Sequence, residues 1–209
     1  MTAEHANSER LPLLFRTPVP WVTQVLAEPL ALLGDHAHLE RKAAANALEL
    51  VNRWPGSTCP EAWVSILAAV ARDEAVHLQA VSRLLAARGG CLPRLHRNHY
   101  ASALHKLVRR GEGARELLDR LLISALIEAR SCERFELLGR YALDSELGAF
   151  FASLHSSELS HYKVFLHLAG MVAPAAAWQP RWDALLVAEA DIVAAQPPGP
   201  RMHSGVVAE

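Results

Sequence analysis

The chain has 209 residues, a net charge of −1 at pH 7, 51% hydrophobic and only 6% aromatic residues. That length is one domain with room for a real core, and the near-neutral balance excludes a molecule that binds nucleic acid through bulk positive charge, leaving only a local basic surface for that task. Cys59, Cys91 and Cys132 make neither a zinc-finger spacing nor a disulfide framework, and with a polar start and no membrane-length apolar run the expectation is a cytoplasmic protein without membrane contact.

In chain order, residues 1–17 are polar and then proline-punctuated, and are expected to form an N-terminal arm. Residues 18–195 are expected to fold as a single all-α domain. A short helix is predicted near Val19 to Leu33, started or interrupted by Pro29. Long helices follow near 35–53, 58–88, 114–140 and 144–169, with shorter ones near 98–110 and 176–195. Thr58 and Glu61 have the T-x-x-E spacing of a capping box. "RGG" at 88–90 supplies glycine where a helix end needs a left-handed residue, Asp144 is placed to cap a helix start, and Gly170 to stop one. The end, "QPPGPRMHSGVVAE", replaces periodicity with Pro and Gly, so 196–209 reads as a flexible tail.

Each long helix carries an apolar seam at alternating four- and three-residue steps, the stripe of a bundle helix. The first runs Leu33, Ala37, Glu40, Ala44, Ala47, Val51. The second runs Trp63, Leu67, Val70, Glu74, His77, Val81, Leu84. The third runs Leu118, Leu121, Ala125, Glu128, Cys132, Phe135, and the fourth Leu147, Phe151, Leu154, Glu158, His161, Phe165, Leu168. In all four the polar interruption falls near the middle, and no lysine or arginine occupies a seam position. An unpaired buried carboxylate costs several kcal/mol, so four of them need a compensating charge, which two divalent cations supply. Residues three apart share a helix face, so Glu74/His77 and Glu158/His161 can each address one centre. The order Glu, Glu-x-x-His, Glu, Glu-x-x-His is the ligand set of di-iron or di-manganese bundles. Glutamate-rich sites with imidazole favour iron or manganese over zinc or calcium, and spacing does not choose between the two. His36, His38 and His155 fall off the seam and read as surface groups or supports for the ligands. Asp73, Glu133 and Glu136 read as solvated charges or helix-face pairs.

The blocks "DHAHLERKAAANALEL" (35–50), "ARDEAVHLQAV" (71–81), "LLISALIEARSCERFELL" (121–138) and "SSELSHYKVFLHLA" (156–169) resemble the corresponding blocks of the MiaE family of tRNA hydroxylases. The resemblance covers roughly residues 20–190. It implies a ferritin-like four-helix bundle with additional short helices and a non-haem di-iron centre held by Glu40, Glu74, His77, Glu128, Glu158 and His161. Glu74 and Glu158 would bridge the irons and Glu40 and Glu128 would lie more terminal. The implied activity is an O2-dependent monooxygenase that hydroxylates the isopentenyl group of 2-methylthio-N6-isopentenyladenosine next to the tRNA anticodon. Its partners would be the anticodon stem-loop of tRNA and an electron-donating reductase or ferredoxin. The basic stretch "CLPRLHRNHYASALHKLVRRG" (91–111), with Arg94, Arg97, Lys106, Arg109 and Arg110 and no acidic residue, is the expected tRNA-binding segment, and His96, His99, His105 and Tyr100 are candidates for stacking on a base. The alternatives are a ferritin-like oxidase, a manganese catalase or an iron-binding protein acting on small molecules. A monomer or small oligomer is expected.

Overall fold

The protein is described here by a computed structural model, which covers residues 11–207. Among these residues the regular elements are seven helices: α1 (Pro20–Leu26), α2 (Pro29–Val51), α3 (Glu61–Ala87), α4 (His99–His105), α5 (Ala114–Tyr141), α6 (Ser145–Val172) and α7 (Ala175–Ala194). The bundle is all-α, and its four long members are the helices that carry the seams. Pro29 starts α2 rather than interrupting a helix, since a missing N–H costs nothing in the first turn.

Helix ends follow local chemistry with two departures. At the end of α3, Gly89 (φ +80°) lets its own N–H reach the Ala86 carbonyl and the N–H of Gly90 reach Leu85, a Schellman closure. The Asp144 carboxylate accepts from the N–H groups of Glu146 and Leu147. The capping box at Thr58 does not form: α3 begins at Glu61, after Pro60 in extended conformation, with no side-chain cap. Gly170 does not stop α6 either. The helix runs to Val172 and ends where Pro174 forces Ala173 into extended backbone.

The long helices pack as two hairpins, α2 with α3 and α5 with α6. The core is split into two apolar clusters, and their membership fixes helix direction. α2 and α6 begin in the cluster of Leu33, Phe151 and Leu147 and finish in that of Leu50 and Phe165, whereas α3 and α5 run from Trp63 and Leu121 toward Val81 and Phe135. Helices α3 and α5 are therefore parallel, so the connection 88–113, which carries α4, must return along the bundle. The polar seam residues lie between the two clusters, at mid-bundle.

Both expected loose ends pack where they are described. Leu11 and Leu13 are buried in the core, and Thr17 donates from N and Oγ1 to Glu133 at 3.1 and 2.8 Å. Residues 1–10 of the expected arm lie outside the described residues. At the other end the expected tail folds back as a strap: Pro198 bridges Gly205, and Met202, His203 and Ser204 are buried. The Arg134 guanidinium donates to the carbonyls of Met202 and Ser204, Trp21 Nε1 donates to Ser204 Oγ, and the Met202 N–H donates to Asp35. A Cβ at Gly205 would stand 1.9 Å from the Gln196 carbonyl oxygen, so the return needs glycine. Proline and glycine remove helical periodicity, but tertiary hydrogen bonds order this segment without it. Residues 208 and 209 lie outside the described residues as well.

A buried ionic network ties the outer elements to α5. Arg130 donates from Nε and Nη2 to Glu189 of α7 at 2.9 Å each, contacts Glu133 one turn along, and reaches the Phe15 carbonyl. The Tyr100 hydroxyl donates to the same Glu189 at 2.8 Å. Glu133 is thus a buried helix-face pair rather than a solvated charge. Glu189→Ala strands the Arg130 guanidinium and the Tyr100 hydroxyl in the core and should cost about 3–5 kcal/mol of unfolding free energy, read by denaturant titration.

Candidate metal centre

The six seam residues converge. Glu40 comes from α2, Glu74 and His77 from α3, Glu128 from α5, and Glu158 and His161 from α6, and all six are buried. His77 Nδ1 lies 3.6 Å from Glu40 Oε2, 3.6 Å from Glu74 Oε2 and 3.4 Å from Glu158 Oε1. Donor atoms of Glu40, Glu74, His77 and Glu158 all fall within 4.8 Å of one another. On the other side, His161 Nδ1 approaches Glu74 Oε1 to 2.8 Å, and Glu128 lies beside Glu158, whose charge acts on it. The two oxygens of Glu74 thus face two different imidazoles, and Glu158 is likewise shared between His77 and Glu128.

Four of these atoms, Glu74 Oε1, His77 Nδ1, Glu158 Oε1 and His161 Nδ1, are buried without an aligned hydrogen-bond partner. Buried polar atoms are almost always satisfied, and here polar atoms from four side chains converge without pairing. A cation fits that arrangement: oxygen-rich, with imidazole nitrogens, drawn from four rigid helices.

The charge balance agrees. Burial, opposed by the nearby His161 and His77 imidazoles and reinforced by the Glu128 and Glu40 charges, pushes Glu74 up to about 8. Burial and the Glu74 charge push Glu158 up to about 7, and burial with Glu158 raises Glu128 well above the usual carboxylate range. Burial would also raise Glu40, but the charge and hydrogen bond of His36 hold it below that range. Burial opposes a charge on His77, yet its contacts with Glu158, Glu40 and Glu74 push it up to about 12, and Glu74 raises His161 despite burial.

His36, off the seam by sequence, is buried between Phe135, Phe150 and Phe151 with Nε2 on Glu40 Oε1, where it orients that carboxylate. A histidine one turn before a ligand was the available signal. Asp73, read as a solvated charge, stands 3.7 Å from the outer nitrogen of His161. His38 is buried and bonded to the Pro93 carbonyl.

A cavity of about 190 Å³ leads to the carboxylates. Leu39, Ile127 and Phe135 line it beside Glu40, Glu74, Glu128 and Glu158, and α4 (Ala101, Ser102, His105) with Asn98, Met202 and His203 forms another part of its wall. For scale, a cavity of ~150 Å³ holds benzene.

The basic stretch divides into exposed and engaged residues. Arg94, Arg97, Lys106 and Arg110 are exposed. Arg109 is not free: its N, Nε and Nη2 donate to buried Asp119, which Arg181 also holds. Tyr100 is fully buried, and His96 sits between Asp35 and Lys42, stacked on His38, so neither is available to stack on a base. The acidic partners came from outside the stretch, which its own composition does not show.

The model of the family described as tRNA-(MS[2]IO[6]A)-hydroxylase (MiaE) matches residues 7–204. The chain belongs to the MiaE family. A Pseudomonas putida relative, named tRNA 2-(methylsulfanyl)-N(6)-isopentenyladenosine(37) hydroxylase, is 37% identical over 190 residues, covering 91% of this chain and 90% of the relative. A Salmonella typhimurium protein of the same name is 30% identical, covering 92% of this chain and 87% of its own length. Among solved structures, a Synechococcus protein described as having aldehyde deformylating oxygenase activity superposes with a TM-score of 0.86 at 34% identity, covering 96% of this chain and 98% of that one. The MiaE chain is therefore a ferritin-like bundle, and no described helix is long and apolar enough to cross a membrane.

The shifted carboxylates set a pH test. Glu74, Glu158 and His77 all bind protons more tightly folded than unfolded, so their stabilisation is complete at low pH and is lost as pH rises through the folded values. Metal-free protein should lose melting temperature between about pH 5 and 8. Fe(II) or Mn(II), which binds deprotonated ligands, should remove that decline; a flat metal-free profile by differential scanning fluorimetry would contradict the site's electrostatics.

Proposed function

We propose that this MiaE-family protein is a non-haem di-iron monooxygenase that hydroxylates the isopentenyl group of 2-methylthio-N6-isopentenyladenosine beside the tRNA anticodon. The observation that carries the reading is the cavity: one wall is the four buried carboxylates, another is α4, which belongs to the segment carrying the exposed basic residues. Family membership and the two relatives' shared name supply the substrate.

Glu40, Glu74, His77, Glu128, Glu158 and His161 would hold two irons, Glu74 being the carboxylate that faces both imidazoles. That metal pair supplies the dioxygen reduction that no side chain performs. Overall, the alkyl C–H, O2, two electrons and two protons give an alcohol and water. The protein residues position and protect. Leu39, Ile127 and Phe135 give the prenyl chain an apolar wall beside the carboxylates, and His36 fixes Glu40 from behind. Arg94, Arg97, Lys106 and Arg110 meet the phosphates of the anticodon stem-loop. The electrons come from a reductase or ferredoxin, and the reaction belongs to the cytoplasm, where tRNA is modified. A second reading, oxygenation of a small aldehyde, draws on the Synechococcus neighbour; the basic residues flanking α4 favour RNA.

Iron-loaded protein incubated with prenylated tRNA, a reductant and O2 should add one oxygen to the nucleoside, seen by mass spectrometry. No gain with iron confirmed, or turnover of a fatty aldehyde instead, would overturn the assignment. Reversing Arg94, Arg97 and Arg110 to glutamate should weaken tRNA binding and lower the log–log salt slope by about 0.7–0.9 for each phosphate no longer neutralised, while leaving metal content unchanged.

A further inference from the structure

His203 lies on the strap that the sequence presents as a loose end, yet it is among the most constrained side chains in the protein. It is 4% exposed. Its ring stacks on Tyr100 with centroids 4.5 Å apart, and Arg134 grips the carbonyls on either side of it, those of Met202 and Ser204. Tyr100 is itself fixed by Glu189.

The hydrogen bonds also settle which nitrogen carries the proton. Asn98 caps α4 by accepting the Ala101 N–H on Oδ1 at 3.0 Å, which fixes the orientation of its amide. Its Nδ2 then donates to His203 Nδ1 at 3.1 Å. Nδ1 is an acceptor, so in the neutral ring Nε2 bears the hydrogen. Burial, reinforced by Arg134 and Arg130 close by, holds the ring neutral. Nε2 is buried and has no partner, and His203 lines the cavity that reaches the carboxylates. Several other polar groups of that cavity are engaged, Lys42 with His96, Asn46 with Ser124, and Ser102 with the Asn98 carbonyl, while His36 Nδ1 and the central carboxylates share the unpaired state of His203 Nε2. A positioned donor without an acceptor is the form of a recognition group, because a ligand lacking the matching atom leaves it unpaired.

We propose that His203 Nε2–H donates a hydrogen bond to a ring nitrogen of the prenylated purine, making the C-terminal strap the element that selects the base. This rests on the proposed substrate. With the prenyl group on N6 directed toward Glu128 and Glu158, N1 and N7 are the acceptors flanking the point of attachment, and both belong to the base, which then lies toward Asn98, Ser102 and His203 of the cavity wall. Asn98 is a positioning residue: it holds the tautomer and does not touch the base.

The test is binding, with turnover measured separately. An anticodon stem-loop carrying the prenylated adenosine, and its 1-deaza and 7-deaza analogues, are titrated into metal-loaded protein without oxygen, with melting temperature as the folding control. His203→Phe, which keeps the ring on Tyr100, should weaken the parent loop about tenfold. His203→Gln, which offers an amide N–H near the place of Nε2, should recover most of that loss. One deaza analogue should bind the natural protein about tenfold more weakly and lose nothing further in His203→Phe. Equal binding of the parent loop by the natural protein and His203→Phe would overturn the proposal. So would equal loss across all three loops, or failure of both deaza analogues to weaken the natural protein. If His203 governs binding but no oxygen is inserted, the hydroxylase reading fails while the binding role stands; if oxygen is inserted and His203→Phe binds normally, the inference alone fails.

Discussion

Four carboxylates and two imidazoles buried at the middle of a helical bundle are the constraint to which the rest of this structure answers. Burying one unpaired charge costs several kcal/mol; here Glu40, Glu74, Glu128 and Glu158 repel one another as well, and without positive charge they hold protons far above their usual range, Glu40 alone excepted because His36 stands against it. The protein accepts that cost in one layer and recovers stability above and below it, in two apolar clusters that do not mix with the polar layer. Convergence from four separate helices keeps the donor atoms aimed at a common space, since each helix is held by its own seam at both ends.

The same layer sets the topology around it. Each hairpin brings one Glu and one Glu-x-x-His to mid-bundle. With α3 and α5 parallel, the chain must travel back along the bundle between them. That return, residues 88–113, is not mere connection. It lays α4 beside the cavity, exposes Arg94, Arg97, Lys106 and Arg110 on either side of α4, and sends the Pro93 carbonyl to His38. Packing two helix pairs in this sense therefore brings α4, with basic residues on either side of it in the chain, against the cavity that reaches the polar layer.

A second buried polar system holds the accessories in place. Arg130, Glu133, Glu189 and Tyr100 join the N-terminal segment, α4, α5 and α7, while Arg134 clamps the strap and Asp119 takes both Arg109 and Arg181. Apart from Arg134 Nε, the polar atoms of these groups have partners, unlike several of those at the centre. The contrast separates polar residues that fix position from polar residues that await a partner.

How much of this was legible depended on whether the signal was local. A seam of period 3.6 is written in consecutive residues, so the four long helices, the mid-seam position of all six Glu and His residues and the Asp144 cap could be read from the sequence: helical geometry alone decides which side chains share a face. The sequence could not say that "QPPGPRMHSGVVAE" packs, because its order comes from Arg134, Trp21, Gln24 and Asp35, which lie at least sixty residues away along the chain. Nor could it say that Arg109 is spent on Asp119, that Tyr100 is buried, or that His36 backs Glu40 while His203, with Nε2 unpaired, lines a cavity. Periodicity reports the face a residue takes on its own helix; only the assembled bundle decides what stands opposite that face, and for a polar group that neighbour determines whether it is structural support or a site.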